Sequence, residues 1–143
     1  MQIGVETSKA VDQRRIFVVD EDEITRAALQ FMLHDEIETH ELCSLAEAYD
    51  KGQDWLLPDV FILGMSILKA HGIGVISEIA KNYPSARVLI VAGMEDEELG
   101  LAALKAGAAG ALLKPLKIEA VRQKVDTILG RAGAAPLVQL GGL

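Results

Sequence analysis

The feature that most restricts the fold of this chain is a regular alternation of short aliphatic runs with longer segments of helical periodicity. The runs have the length of strands rather than of helices, and charged or turn-forming residues separate them. Five such runs occur, at residues 16–19, 37–43, 60–63, 88–92 and 111–113. Strands that alternate with helices form a parallel sheet, because each parallel connection must cross over the sheet. The alternation therefore predicts an α/β fold around a five-stranded parallel sheet.

The segments between the runs predict five helices that flank the sheet. After the acidic residues 20–23, a helical spacing links Ile24, Ala27, Ala28 and Phe31. The other helices are predicted at residues 44–52, 72–81, 95–106 and 118–129. Half of the residues are hydrophobic but only 4% are aromatic, so the core must be aliphatic, as in buried parallel strands. We expect a doubly wound, flavodoxin-like sheet with strand order 2-1-3-4-5.

Charge and cysteine content exclude several classes of protein. The formal charge of −7 argues against a nucleic-acid partner or an anionic membrane surface, since both attract basic patches. No apolar run is long enough to span a membrane. Cys43 is the single cysteine, which predicts a cytoplasmic protein without disulfides and favours a buried structural thiol. We predict a flexible arm at 1–14, one domain at 15–130 and a flexible tail at 131–143.

Chemistry in such a sheet is expected at the carboxyl ends of the strands, which points to residues 20–22, 64–66, 92–93 and 114–115. Three motifs lie around these ends: Val18-Val19-Asp20-Glu21, the run Pro58-Asp59-Val60-Phe61-Ile62-Leu63, and residues 106–115, AGAAGALLKP. Together they resemble the receiver domain of response regulators, the CheY-like family, from about residue 15 to 129. The resemblance implies an acidic pair for Mg²⁺ at Asp20 and Glu21, and a cis peptide between Lys114 and Pro115.

The departures from the family pattern are concentrated at its chemistry. Gly64 stands where the resemblance places the phosphoacceptor aspartate, and Leu68 stands where a proline is usual. The two switch positions of the family are Ala92, which lacks a hydroxyl for a phosphoryl oxygen, and Ala111, which lacks an aromatic ring. Since no acyl phosphate can form on glycine, the sequence predicts a degenerate pseudo-receiver that works without phosphorylation.

Two interpretations of the remaining acidic pocket stay open. Asp20 and Glu21 could bind Mg²⁺ weakly, with too few carboxylates for a tight site. Alternatively, Lys114 lies directly against the acidic pair and neutralises it, so that no metal is needed. In either case no cofactor is expected beyond weak Mg²⁺. Ser66 lies near the site but has no identifiable base beside it, and Trp55 is expected to pack.

The predicted function is a non-enzymatic signalling module of the two-component type that binds a protein partner, with a homodimer as one form. The resemblance points to the face formed by the fourth predicted helix, the fifth strand and the fifth helix. Both sides of the fourth helix are apolar, and its candidate contact residues are Leu99, Ala102, Ala103 and Ala106. The alternatives are a phosphate-accepting regulator that uses a displaced acid, and a small flavodoxin-like nucleotide or flavin binder.

Overall fold

The computed structural model describes residues 12–131 and contains the predicted five-stranded parallel sheet. The strands are β1 (Asp12–Val19), β2 (Ile37–Leu42), β3 (Val60–Gly64), β4 (Arg87–Ala92) and β5 (Gly110–Leu113). Their order in the sheet is β2-β1-β3-β4-β5, and every pair is parallel. The predicted strand order is confirmed.

Six α-helices, rather than the five predicted, flank the sheet in this part of the chain. They are α1 (Glu23–Leu33), α2 (Leu45–Lys51), α3 (Met65–His71), α4 (Gly74–Asn82), α5 (Glu97–Lys105) and α6 (Ile118–Leu129). The additional helix, α3, starts directly after β3. A proline at position 68 would remove a helical hydrogen bond and clash with the preceding turn, whereas Leu68 permits the helix. Gly72, with a φ of 85°, then separates α3 from α4.

Alternate residues of each strand face two different hydrophobic clusters, which is the pattern of a sheet covered on both sides. One cluster contains Phe17, Phe61 and Ile90 and includes residues of α2 to α5. The other contains Val18 and Ile62 and includes residues of α1 and α6. Both faces of the sheet are therefore buried, as the continuous aliphatic strands predicted.

The ends of the folded domain differ slightly from the predicted ones. Strand β1 begins at Asp12, so residues 12–14 belong to the sheet and not to the arm. Arg131, which was predicted in the tail, forms ion pairs with Asp12 and Glu36. The remainder of the predicted arm and tail, 1–11 and 132–143, lies outside the described residues.

Cys43, which was expected to be buried, and Trp55, which was expected to pack, are both exposed. Cys43 follows β2 at the surface, where its thiol donates a hydrogen bond to Glu47. Trp55 is 78% exposed in the short 3₁₀ helix Asp54–Leu56. Within residues 12–131, no helix combines the length and the apolar composition needed to cross a membrane.

Candidate functional site

The residues that the sequence singled out meet at the carboxyl edge of the sheet. Asp20 follows β1, and Gly64 ends the neighbouring strand β3. Ala92 ends β4, and Lys114 follows β5 at the far side of the same edge. Parallel strands bring these ends together although the residues are far apart in the chain. The edge is therefore the candidate functional site.

Asp20 is buried, with 5% of its surface exposed, and neutral groups supply its hydrogen bonds. Its Oδ1 accepts hydrogen bonds from the Ser66 hydroxyl at 3.1 Å and from the Asp22 backbone N–H at 3.0 Å. The Arg26 guanidinium binds the backbone carbonyl of Asp20 at 2.7 Å rather than its carboxylate. The carboxylate therefore depends on Ser66 and the loop backbone for its orientation.

The carboxylate of Asp20 occupies the space that a side chain at position 64 would need. A Cβ atom built on Gly64 would lie 2.1 Å from Oδ2 of Asp20 and 2.2 Å from its Cγ. These distances are far shorter than van der Waals contact, so the orientation of Asp20 requires glycine at position 64. Sequence reasoning singled out Gly64 as a position without a carboxylate, but missed that the Asp20 side chain fills the space beside it.

Ser66 connects the start of α3 to the loop after β1. Its hydroxyl donates to Asp20 and accepts a hydrogen bond from the Glu21 backbone N–H at 3.3 Å. The sequence placed Ser66 near the site but assigned it no partner. Its role arises because α3 begins at Met65 and directs residue 66 toward the neighbouring strand end.

The residues at this edge do not fit a magnesium cage. Glu21 is exposed, while Asp22 is the N-cap of α1 and accepts hydrogen bonds from the Thr25 hydroxyl and the Ile24 N–H. These two bonds, with a smaller contribution from the positive charge of Lys114, lower the pKa of Asp22. Across the described part of the chain, no three side chains of metal-binding type converge. Mg²⁺ prefers several oxygen ligands in an octahedral shell, and Asp22 is committed to the cap of α1.

Lys114 does not lie against the acidic pair, so that interpretation was wrong. Among residues 12–131, no ion pair joins Lys114 to Asp20 or Glu21. Asp20 is turned toward Gly64 on β3, and Lys114 is exposed beside β5, two strands away. The predicted cis peptide between Lys114 and Pro115 is confirmed.

A second buried acid, Asp96, lies at this edge and was missed as a site residue. It is 7% exposed, accepts a hydrogen bond from the Gly93 N–H at 3.0 Å and pairs with the Lys69 ammonium at 3.2 Å. The Gly93 N–H and the Lys69 ammonium lower the pKa of Asp96 despite its burial. Because Lys69 belongs to α3, this pair connects α3 to the loop after β4. The sequence carried no signal for it, since α3 itself was not predicted.

An apolar groove of about 350 Å³ lies between α5 and β5. Small residues line part of it, namely Ala92, Gly100 and Ala111. Large exposed side chains line its opening, namely Met94, Leu101, Leu104 and Leu113. We call these seven residues the α5–β5 groove. Both predicted switch positions border it, and the absence of a ring at Ala111 contributes to the open space.

Most of the predicted contact residues on α5 lie on its buried side, toward the sheet. Ala103 is fully buried, and Leu99 and Ala106 pack against the core, so that only Ala102 of the four is exposed. The reason is the rotation of α5, whose buried residues are Gly100 and Ala103 and which brings Gly100 to ordinary van der Waals distance of Ile90. Gly100 and Ala103 therefore face the sheet, and the opposite side is left exposed.

Comparisons with known proteins agree with this geometry. A family model described as response regulator receiver domain matches residues 16–126. The chemotaxis protein CheY of Thermotoga maritima is 27% identical over 121 residues, which cover 80% of this chain and 97% of that protein. The DNA-binding transcriptional activator DevR/DosR of Mycobacterium tuberculosis is 30% identical over 138 residues, which cover 90% of this chain. The chain spans only 63% of that relative's length.

The fold has close counterparts among solved structures. A crystal structure of a response regulator from Thermotoga maritima superposes with a TM-score of 0.73 at 22% identity, over 83% of this chain and 99% of that one. At this identity the likeness shows the fold alone, whereas the family match covers most of the described sequence. The chain therefore belongs to the response regulator receiver domain family, whose members act in two-component signalling.

Proposed function

We propose that this receiver is a cytoplasmic, non-enzymatic interaction module whose output does not depend on phosphorylation. The observation that carries the proposal is the position of the Asp20 carboxylate, which fills the side-chain space at Gly64. An acyl phosphate needs a carboxylate at the end of β3 and room for the phosphoryl group beside it. Gly64 supplies no carboxylate, and the Asp20 side chain occupies the room.

The two switch positions support the same proposal. Ala92 is buried and has only a methyl group, which cannot hydrogen-bond a phosphoryl oxygen. Ala111 has no ring that could rotate between an inward and an outward position. A modification shifts a conformational equilibrium only when it contacts the two states differently. Neither position offers such a contact.

The ion pair between Lys69 and Asp96 supports a fixed conformation of the loop after β4. The Asp96 carboxylate accepts a hydrogen bond from the Gly93 N–H, which closes the loop on itself. It also pairs with Lys69, which ties the loop to α3. Both contacts form without any added group. We propose that this loop keeps one arrangement whether or not phosphoryl donors are present.

Magnesium is expected to bind in the millimolar range or not at all. Asp20 has one oxygen, Oδ1, that already accepts two hydrogen bonds, and the exposed Glu21 is the next carboxylate along the chain, so few carboxylates are available for a cation here. Titration calorimetry at neutral pH tests this expectation. Trp55 is unsuitable as a fluorescent reporter because it precedes β3, at the opposite edge of the sheet.

The partner surface that fits this module is the α5–β5 groove. Its exposed leucines and Met94 offer apolar contacts, while the nearby side chains of Glu95, Glu97 and Glu98 are exposed and acidic. We propose a protein partner that inserts apolar side chains from a segment flanked by basic residues. A second copy of the chain is less suited to this groove, because the same acidic side chains would then face one another.

Phosphorylation is tested by incubating the wild type with acetyl phosphate and Mg²⁺ and measuring its intact mass. We expect no gain of a phosphoryl group. The comparison is the double variant Asp20→Ala/Gly64→Asp. It moves the carboxylate to the end of β3 and clears the space beside it, so it is the variant most able to accept a phosphoryl group. A wild-type chain that gains one phosphoryl group would contradict the proposal, and fragmentation would then locate a displaced acceptor such as Asp96.

The partner surface is tested with two leucines of matched exposure. Leu101 is 53% exposed in the groove, and Leu57 is 51% exposed after the 3₁₀ helix at the opposite edge. A binding protein isolated with the wild-type chain should bind Leu101→Ser at least about tenfold more weakly, whereas Leu57→Ser should leave its affinity unchanged. Equal effects of the two substitutions would place the contact elsewhere.

A further inference from the structure

The outer face of α1 carries an apolar stripe that nothing covers in the described part of the chain. Ile24 is 79% exposed and Phe31 is 72% exposed, and between them lie the exposed Ala27 and the half-buried Ala28. We call these four residues the α1 stripe. It is the pattern that predicted the helix, yet the buried residues of α1 are Thr25, Leu29 and Leu33.

The rotation of α1 about its axis is fixed by contacts other than the stripe. Leu29 and Leu33 are fully buried in the core cluster, and the Gln30 side chain donates a hydrogen bond to the Thr39 carbonyl of β2 at 3.0 Å. These contacts leave no freedom to turn Ile24 or Phe31 inward. A helix with apolar residues on both sides is typically covered on both sides, and large exposed apolar patches mark contact sites.

A groove of about 290 Å³ runs along one side of the α1 stripe. Ile24, Ala28 and Met32 form its wall on α1, and Pro115 and Leu116 form its wall in the loop after β5. The groove is largely apolar, with Lys114 and Thr25 as its polar side chains. One aromatic side chain is a suitable occupant for a space of this size and composition.

We propose that two copies of this chain associate through α1, with the helices antiparallel across a two-fold axis between Ala27 and Ala28. The order of residues makes the stripe self-complementary, because two small residues lie at its centre and one large apolar residue lies at each end. In this arrangement Ile24 of each copy lies opposite Phe31 of the other, and the small alanines let the helices approach closely. A two-fold contact requires such a repeated, self-complementary patch.

The groove and the flanking charges favour the same occupant. Phe31 of the second copy reaches the groove beside Ile24, Pro115 and Leu116. Glu21 precedes α1 and His34 follows it, and both are exposed. The antiparallel arrangement places Glu21 of one copy near His34 of the other, and the adjacent Asp35 is already paired with Arg122 of its own chain at 2.9 Å.

Self-association of the full chain tests the proposal by sedimentation velocity at about 100 μM, since a dimer forms by mass action. The wild type should sediment as a dimer, and Phe31→Lys should self-associate at least about tenfold more weakly. Trp55→Lys is the matched control, because Trp55 is an aromatic residue of similar exposure, 78%, outside the stripe. A monomeric wild type, or a dimer that persists in Phe31→Lys, would overturn the proposal.

Disulfide trapping tests the position of the two-fold axis. In a Cys43→Ser background, Ala27→Cys should oxidise to a covalent dimer, whereas Ala102→Cys, an exposed alanine on α5, should stay monomeric under the same conditions. A covalent dimer formed through position 102 alone would assign self-association to the α5 face and overturn the proposal.

Discussion

The amino edge of the sheet, where the strands begin, pairs its charged side chains with one another, whereas at the carboxyl edge no basic side chain among residues 12–131 forms an ion pair with Asp20. At the amino edge, Asp12 binds Arg14 at 2.9 Å and Arg131 at 3.3 Å. Glu36 binds Arg131 at 3.4 Å and Arg122 at 3.3 Å. These contacts join β1 to Arg131, two residues beyond the end of α6, and Arg131 to the turn before β2.

At the carboxyl edge, the most buried acid is Asp20, which is oriented by a hydroxyl and a backbone N–H. It lies against a glycine rather than against an opposite charge. The difference indicates that the amino edge contributes mainly to stability. The carboxyl edge instead holds its buried Asp20 carboxylate in the side-chain space at Gly64.

The largest effect is expected at the amino edge. Asp12→Ala removes the acceptor of three hydrogen bonds from Arg14 and leaves Arg131 with one carboxylate fewer. We expect a loss of about 2–3 kcal/mol in the free energy of unfolding, since bonds to charged groups are the stronger ones. Urea denaturation measures it. The control is Glu38→Ala at the same edge. Its side chain is 42% exposed, so the free energy of unfolding should fall by less than about 1 kcal/mol. Similar losses for the two variants would contradict the special role of Asp12.

The same contact predicts a dependence on pH. Hydrogen bonds from Arg14, with the charge of Arg131, lower the pKa of Asp12 from 3.8 to about 2. A lowered pKa stabilises the fold above the ordinary value, and this contribution is lost as pH falls from about 4 to about 2. The Asp12→Asn variant should therefore lose less stability than the wild type over this interval in acid titrations. Parallel titration curves would show that Asp12 contributes little.

An intermediate effect is expected from Gly64→Asp at the carboxyl edge. The new side chain must displace the Asp20 carboxylate from Ser66 and the Asp22 N–H and adds a second negative charge beside it. We expect a loss of about 1–2 kcal/mol. In the double variant Asp20→Ala/Gly64→Asp the loss should be smaller than the sum of the single losses, as a double-mutant cycle would show. Strict additivity would mean that the two side chains do not compete for one space.

The smallest effect is expected from Lys69→Ala. Lys69 is 60% exposed, and Asp96 keeps its hydrogen bond from Gly93 without it. We expect a change of less than about 0.5 kcal/mol in the free energy of unfolding. Amide exchange of residues 93–96 should nevertheless become faster, because one of the two contacts of the loop is lost. Unchanged exchange would show that Gly93 alone holds this loop in place.

Much of the fold and of the site's position could be predicted from the sequence. The five aliphatic runs predicted five parallel strands and their order, because buried strands need continuous apolar residues and their connections must cross the sheet. Ser44 and Gly130 lie at a predicted helix start and end, since capping and a left-handed backbone are local properties. The motifs at Asp20 and Lys114 lie at one edge of the sheet, as predicted, because each follows a parallel strand and parallel strands end at the same edge.

Tertiary structure alone decided which apolar side of α1 and α5 is buried. Periodicity gives the spacing of residues along a helix but not its rotation when both sides are apolar, and Leu29 and Gly100 set that rotation through their contacts with the sheet. The contacts of Asp20 with Gly64 and of Lys69 with Asp96 were likewise beyond the sequence. These pairs are distant in the chain, and they meet because parallel strands end at one edge and α3 begins there.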